Sequence, residues 1–171
     1  DKETTYPAGG DRICNRDFAD FIQTQIVEDI RHTMMPTWQK RHLMHQSMSE
    51  TRNPKVPSTI IELLSHHNYY DMTFGLDPKF KFIASRAIYK GMLRFIHQTT
   101  GTPYVVQPLP VQQMNVNYAN NNTLQISWKE RVDHLEPTAT PTYYVLYTRT
   151  SQLKNGEWIT SDWDNGMVVN Q

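Results

Sequence analysis

The 171 residues predict an α/β segment followed by an all-β sandwich. Three observations carry this expectation. Apolar residues recur at helical spacing in two stretches of the first hundred residues. Between those stretches lies Val56-Pro57-Ser58-Thr59-Ile60-Ile61-Glu62-Leu63-Leu64. This short β-branched apolar run is of the kind buried on both faces of a parallel sheet. After position 102 the pattern turns to period-2 alternation with turn signals between, the mark of several short strands.

The elements follow in order. Asn15 is placed to cap a helix in which Phe18, Phe21, Ile22, Ile26 and Ile30 share a face, and Pro36 ends it. Residues 37–55 are polar and carry Trp38, His42, His45 and Arg52 without a clear period. The 56–64 run is the expected strand. The Asp71–Asp77 stretch reads as loop and cap. Asp77 then caps a second helix with Pro78 at its first position, where proline's absent N–H costs nothing. Phe80, Ile83, Ala84, Ala87, Ile88, Gly91, Met92, Phe95 and Ile96 form its apolar stripe, and Gly101 stops it. This helix is expected to pack on the strand carrying Glu62, with Ala87 or Gly91 at closest approach to the sheet.

Thr99-Thr100-Gly101-Thr102-Pro103, with Pro108 and Pro110 soon after, marks a linker. The expected division is an α/β part over 1–100, a linker over 101–110 and a β module over 111–171. In that module Val111–Val116, Thr123–Trp128 and Thr142–Arg149 read as strands. Asn120-Asn121-Asn122 reads as a turn. Asn155-Gly156 is a hairpin signal leading into Glu157-Trp158-Ile159-Thr160.

Charge and composition exclude some functions. Lys plus Arg is 17 and Asp plus Glu is 17, so the formal net charge is zero. Phosphate binding needs a basic excess, so nucleic acid is not the expected partner. No stretch reaches the roughly 18–20 consecutive apolar residues of a membrane span. The polar opening lacks an initiator Met and a basic-then-apolar signal segment, so the chain reads as an internal piece of something longer or as a processed form. A lone cysteine, Cys14, excludes an internal disulfide framework.

Glu62 stands out because it interrupts an apolar run. An ionised carboxylate is rarely buried without a partner. It is either a strand-end acid in a salt bridge or a carboxylate displayed at the carboxyl end of a central strand, where open α/β sheets hold their active sites. In the second setting it suits a general base. The adjacent pair His66-His67 points two ways and makes a poor pair of ligands for one ion. His42 and His45 have a spacing that can chelate on a helix, but no third ligand is evident nearby. Cys14 has no obvious base beside it and reads as an inert thiol.

The run Val56 to Glu62, followed by Asn68, resembles the last strand of the zinc-dependent N-acetylmuramoyl-L-alanine amidases. Asp17-Phe18-Ala19-Asp20-Phe21-Ile22-Gln23 resembles a helix that precedes that strand in the family. Ser85-Arg86-Ala87-Ile88-Tyr89-Lys90-Gly91-Met92-Leu93-Arg94-Phe95 resembles the helix after it. The resemblance covers roughly residues 12–97. It implies a twisted sheet with helices on both faces. It implies a zinc ion held by a His, a Glu and a second His, all on earlier strands that would precede Asp1, so no metal ligand is assigned in this chain. It makes Glu62 the catalytic acid/base and Asn68 a substrate-binding residue. The chain departs from the family pattern after Glu62, where Leu64-Ser65 stands in place of Gly-Phe.

The β module resembles a fibronectin type III domain, with Trp128 in the place of its buried strand-B tryptophan and Tyr143 to Tyr147 similar to its strand C. Such a domain has about seven strands and about 100 residues. Residues 103–171 fall short of that, so both modules are expected to be truncated, the second near Met167-Val168-Val169. Together the resemblances imply an exported, periplasmic or cell-surface peptidoglycan hydrolase. Its reaction would cleave the amide between N-acetylmuramic acid and L-alanine, and this piece alone is expected to be inactive. Peptidoglycan is the expected partner, with a carbohydrate contact through the β module, for example at Trp158 or Trp163. Two alternatives stand beside this reading: a non-catalytic envelope adhesion or carbohydrate-binding protein, and part of a polysaccharide lyase-type protein, especially one labelled xanthan lyase.

Overall fold

In the computed structural model, which describes residues 5–6, 11–46, 48–120 and 123–170, two long helices pair along one apolar seam. They are α1 (Cys14–Thr33) and α4 (Pro78–Thr100), and they belong to the first of two units, Asp1–Val105 and Val106–Gln171. The seam is built from Ile22, Ile26 and Ile30 on α1 against Phe80, Ile83, Ala84 and Ala87 on α4. Gly91 lets the two backbones touch. A Cβ there would sit 2.7 Å from Ile22 Cα and 3.1 Å from Phe21 O. The close approach expected of Ala87 or Gly91 is therefore made to helix α1. Met92 and Ile96, which share the stripe in sequence, stay exposed because the contact arc on α4 is narrower than the stripe.

Local chemistry fixes the helix ends. Asp77 Oδ1 accepts from Lys79 N–H at 2.8 Å, Pro78 opens α4, and Gly101 closes it at φ 72° in the left-handed region that glycine adopts without strain. At α1 the expected Asn15 cap is corrected. The helix begins two residues earlier, at Cys14, and Asp11 Oδ1 accepts from Ile13 N–H at 2.9 Å. Asn15 Oδ1 is used elsewhere, accepting from Tyr6 Oη and, at 3.2 Å, from Ser58 N–H.

Tyr69–Leu76, most of which read as loop, is helix α3. Asn68 Oδ1 starts it, accepting from Tyr70 N–H at 2.9 Å, and the residue before Pro78 ends it, because a following proline disfavours the helical region. A four-residue helix, α2 (Ser49–Arg52), lies in the polar stretch before it. Trp38 also finds a place. Its ring meets Phe74 edge-on at 5.5 Å and Phe80 at 5.7 Å, against the α1–α4 core.

The 56–64 run is not a strand, which corrects the parallel-sheet expectation. It is an irregular segment whose Leu63 and Leu64 pack on the α1–α4 core while Val56, Ile60 and Ile61 remain exposed. Its ends are held by side chains, Ser58 N–H on Asn15 Oδ1 and Ser65 N–H on Asp71 Oδ2 at 2.8 Å. Among the described residues no backbone–backbone hydrogen bond reaches 59–64. A β ladder requires a neighbouring backbone, and among the described residues none pairs with this segment.

The second unit contains three antiparallel pairs. β1 (Gln112–Ala119) pairs with β2 (Thr123–Lys129), with a register shift between Gln112 and Asn115. β3 (Tyr143–Leu146) pairs with β6 (Met167–Asn170), and β4 (Ser151–Lys154) with β5 (Glu157–Thr160). Asn155 and Gly156 both take positive φ, 53° and 86°, which makes the two-residue turn that matches strand twist. The Trp128 ring meets Tyr144 at 5.3 Å, joining the first pair to the second. The helices and small antiparallel sheets make a mixed helix–strand chain.

Candidate functional site

Glu62 is carried on the irregular segment, directly before the two leucines that anchor it. Its side chain is exposed, and it has no hydrogen bond or ion pair among the described residues. The expected burial inside an apolar strand is thus corrected. With no sheet built around it, the carboxylate keeps its water. A carboxylate in that state can accept a proton. Six residues on, Asn68 spends its Oδ1 on capping α3, accepting from Tyr70 N–H and, more weakly at 3.5 Å, from Asp71 N–H. Its side-chain NH₂ remains able to donate.

The histidines do not converge. His66 and His67 lie on a turn with ring centroids 3.8 Å apart, both exposed. His42 and His45 lie on an irregular stretch and not on a helix, so their spacing gives no chelating face. Among the described residues no group of three His, Cys, Asp or Glu side chains is placed to hold a metal ion. The zinc implied by the amidase resemblance therefore finds no fitting donor set among the described residues. Burial, followed by the charges of Asp11 and Asp17, pushes the Cys14 thiol above its ordinary value, which disfavours the nucleophilic thiolate.

The first unit also holds a buried ion pair. Lys90 Nζ, with no exposed surface, contacts Asp29 Oδ1 at 3.0 Å and Oδ2 at 2.8 Å, and Gln25 Nε2 donates to Asp29 Oδ1 at 2.9 Å. The two charges are paired between the helices, while Gln25 Oε1 is buried without a hydrogen-bond partner.

In the second unit, an open depression of about 540 Å³ is lined by Tyr147, Trp163 and Asp164. Tyr147 and Trp163 are 54% and 59% exposed. Asp164 is fixed by three hydrogen bonds: its N–H donates to Thr148 O at 3.0 Å, Oδ2 accepts from Thr148 Oγ1 at 2.6 Å, and Oδ1 accepts from Gly166 N–H at 2.9 Å. The Thr148 hydroxyl and the backbone N–H donors hold its carboxyl below the ordinary 3.8. Arg149 lays its guanidinium over the Trp163 ring at 4.6 Å. Trp163 was a sequence candidate for carbohydrate contact. Trp158, the other one, stands on β5 outside this lining. Tyr147 and Asp164 escaped the sequence reading. The only local sign was the Asp164-Asn165-Gly166 turn.

Comparison with protein-family models, with curated proteins and with solved structures finds no match for this chain.

Proposed function

We propose that this chain belongs to a peptidoglycan hydrolase that cleaves the amide between N-acetylmuramic acid and L-alanine, with Glu62 as its acid/base. One observation supports the reading. The three segments that carry the amidase resemblance, far apart in sequence, assemble around one core. The Asp17–Gln23 stretch of α1 meets the Ser85–Phe95 stretch of α4 at Ile22 and Gly91. The Glu62 segment docks on that core through Leu63 and Leu64. Hydrolysis needs a group that takes a proton from the attacking water and returns one to the departing amine. Glu62, exposed and unpartnered, is chemically equipped for both transfers. On this reading the metal ligands come from outside these 171 residues.

The test is Glu62→Gln in the full-length protein that carries this chain. Turnover on muropeptides should fall by about 10²–10⁴-fold while zinc content stays unchanged, because the residue is a base and not a ligand. Near-normal turnover would sink the assignment. The non-catalytic carbohydrate-binding reading is favoured by a different observation, the exposed aromatic depression of the second unit.

A further inference from the structure

We propose that the Tyr147–Trp163–Asp164 depression is a glycan-binding site, which takes the apolar face of one neutral sugar ring on its aromatic wall and holds a sugar hydroxyl on Asp164. The lining is mostly apolar, with the Asp164 carboxylate in it and the Arg149 guanidinium stacked on the Trp163 ring. The depression is open to solvent on one side, so it offers a platform for one face of a ligand and does not enclose it.

The polar chemistry narrows the ligand. The Asp164 carboxylate already accepts from the Thr148 hydroxyl and from backbone N–H groups, and its two oxygens keep capacity for a ligand donor. An ionised carboxylate is an acceptor only, so the ligand must donate to it. The rings demand an apolar surface on the same molecule. A pyranose offers C–H bonds on its face and hydroxyl donors at its rim. A methylated ammonium would also suit two aromatic rings and a carboxylate. Against it stands Arg149, whose guanidinium already occupies the Trp163 ring. A second cation on that indole would meet the repulsion of the first, whereas the oxygens of a neutral sugar can accept from the guanidinium. Charge complementarity thus favours a neutral glycan.

The site is also pre-formed. Gly166 brings the chain against the Tyr147 ring, where a Cβ would lie 2.7 Å from Tyr147 Cε1, and the same residue's N–H orients Asp164. These contacts hold the carboxylate in place before a ligand arrives, which lowers the ordering cost on that side of the site.

The experiment titrates the complete chain with an N-acetylglucosamine trimer, with cellotriose and with tetramethylammonium, following the indole N–H resonances. A saturable shift of the Trp163 resonance by either glycan is expected. Affinity should fall about tenfold or more in Trp163→Ala, as for a central aromatic contact. It should also fall in Asp164→Asn, which keeps an acceptor for Gly166 N–H and so preserves the turn if Trp163→Ala does not fold. Trp158→Ala should bind as the parent does. No saturable shift with either glycan, unchanged affinity in Asp164→Asn, or saturation by tetramethylammonium alone would overturn the proposal. The readout is binding, so it stands or falls separately from amide hydrolysis at Glu62.

Discussion

Gly166 sits at φ 77°, and an added Cβ would lie 2.6 Å from Val145 Cγ1 and 2.7 Å from Tyr147 Cε1. Both the left-handed backbone and the crowding act against any side chain. Gly166→Ala should therefore destabilise the second unit by about 1–3 kcal/mol, read from the denaturant midpoint, with Tyr147 displaced. The Lys90–Asp29 pair makes a second residue-scale prediction. Removing one partner strands a buried charge, so Lys90→Met should cost about 3–5 kcal/mol. Replacing both, as Asp29→Leu with Lys90→Met, should recover much of that loss, because two apolar groups leave no charge to desolvate. A double-mutant cycle in urea measures the coupling; simple additivity would show that the pair does not act as a unit.

At the scale of elements, the contact between α1 and α4 depends on one missing side chain. Gly91 has Ile22 backbone where its own Cβ would be, so Gly91→Leu must push the helices apart. The expected loss is at least the 1–3 kcal/mol typical of an overpacked core, seen as a lower thermal midpoint of the first unit. Gly91→Ala should already be measurably harmful, even though alanine favours helix by about 1 kcal/mol over glycine. A gain in stability would mean that helix propensity outweighs the contact. Both helices were legible in sequence because periodicity and caps are local. The partner of α4 was not. An apolar stripe says that something covers it, and only the folded chain shows that α1 does so.

For the whole molecule, the 59–64 segment matters most. It presents Ile60 and Ile61 to water and, among the described residues, has no backbone–backbone hydrogen bond. Backbone without such bonds is a template for pairing with another chain. Zero formal net charge and a pI of 7.2 remove the repulsion that would keep copies apart near neutral pH. The chain should therefore self-associate, with apparent mass by light scattering rising with concentration at pH 7. Ile61→Lys should reduce this, since an edge lysine opposes strand pairing. A concentration-independent monomer mass for the unaltered chain would contradict the expectation.

What the sequence determined by itself was whatever depends on near neighbours. Asp77 and Pro78 start a helix and Gly101 stops it because capping, a fixed φ and a left-handed residue act within one turn. Asn155-Gly156 makes a hairpin because two adjacent residues can both take positive φ. The tertiary structure decided what depends on distant partners. The 56–64 run has strand composition, yet a strand exists only beside another backbone, and the composition of one segment cannot supply that. Asn15 has cap chemistry, yet its oxygen goes to Tyr6 and to Ser58, 43 residues on. Tyr147, Trp163 and Asp164 form one depression only because Thr148 reaches across 16 residues to hold Asp164. Hydrogen-bonding capacity is written in each residue, but its use is settled by which groups the folded chain brings within about 3 Å.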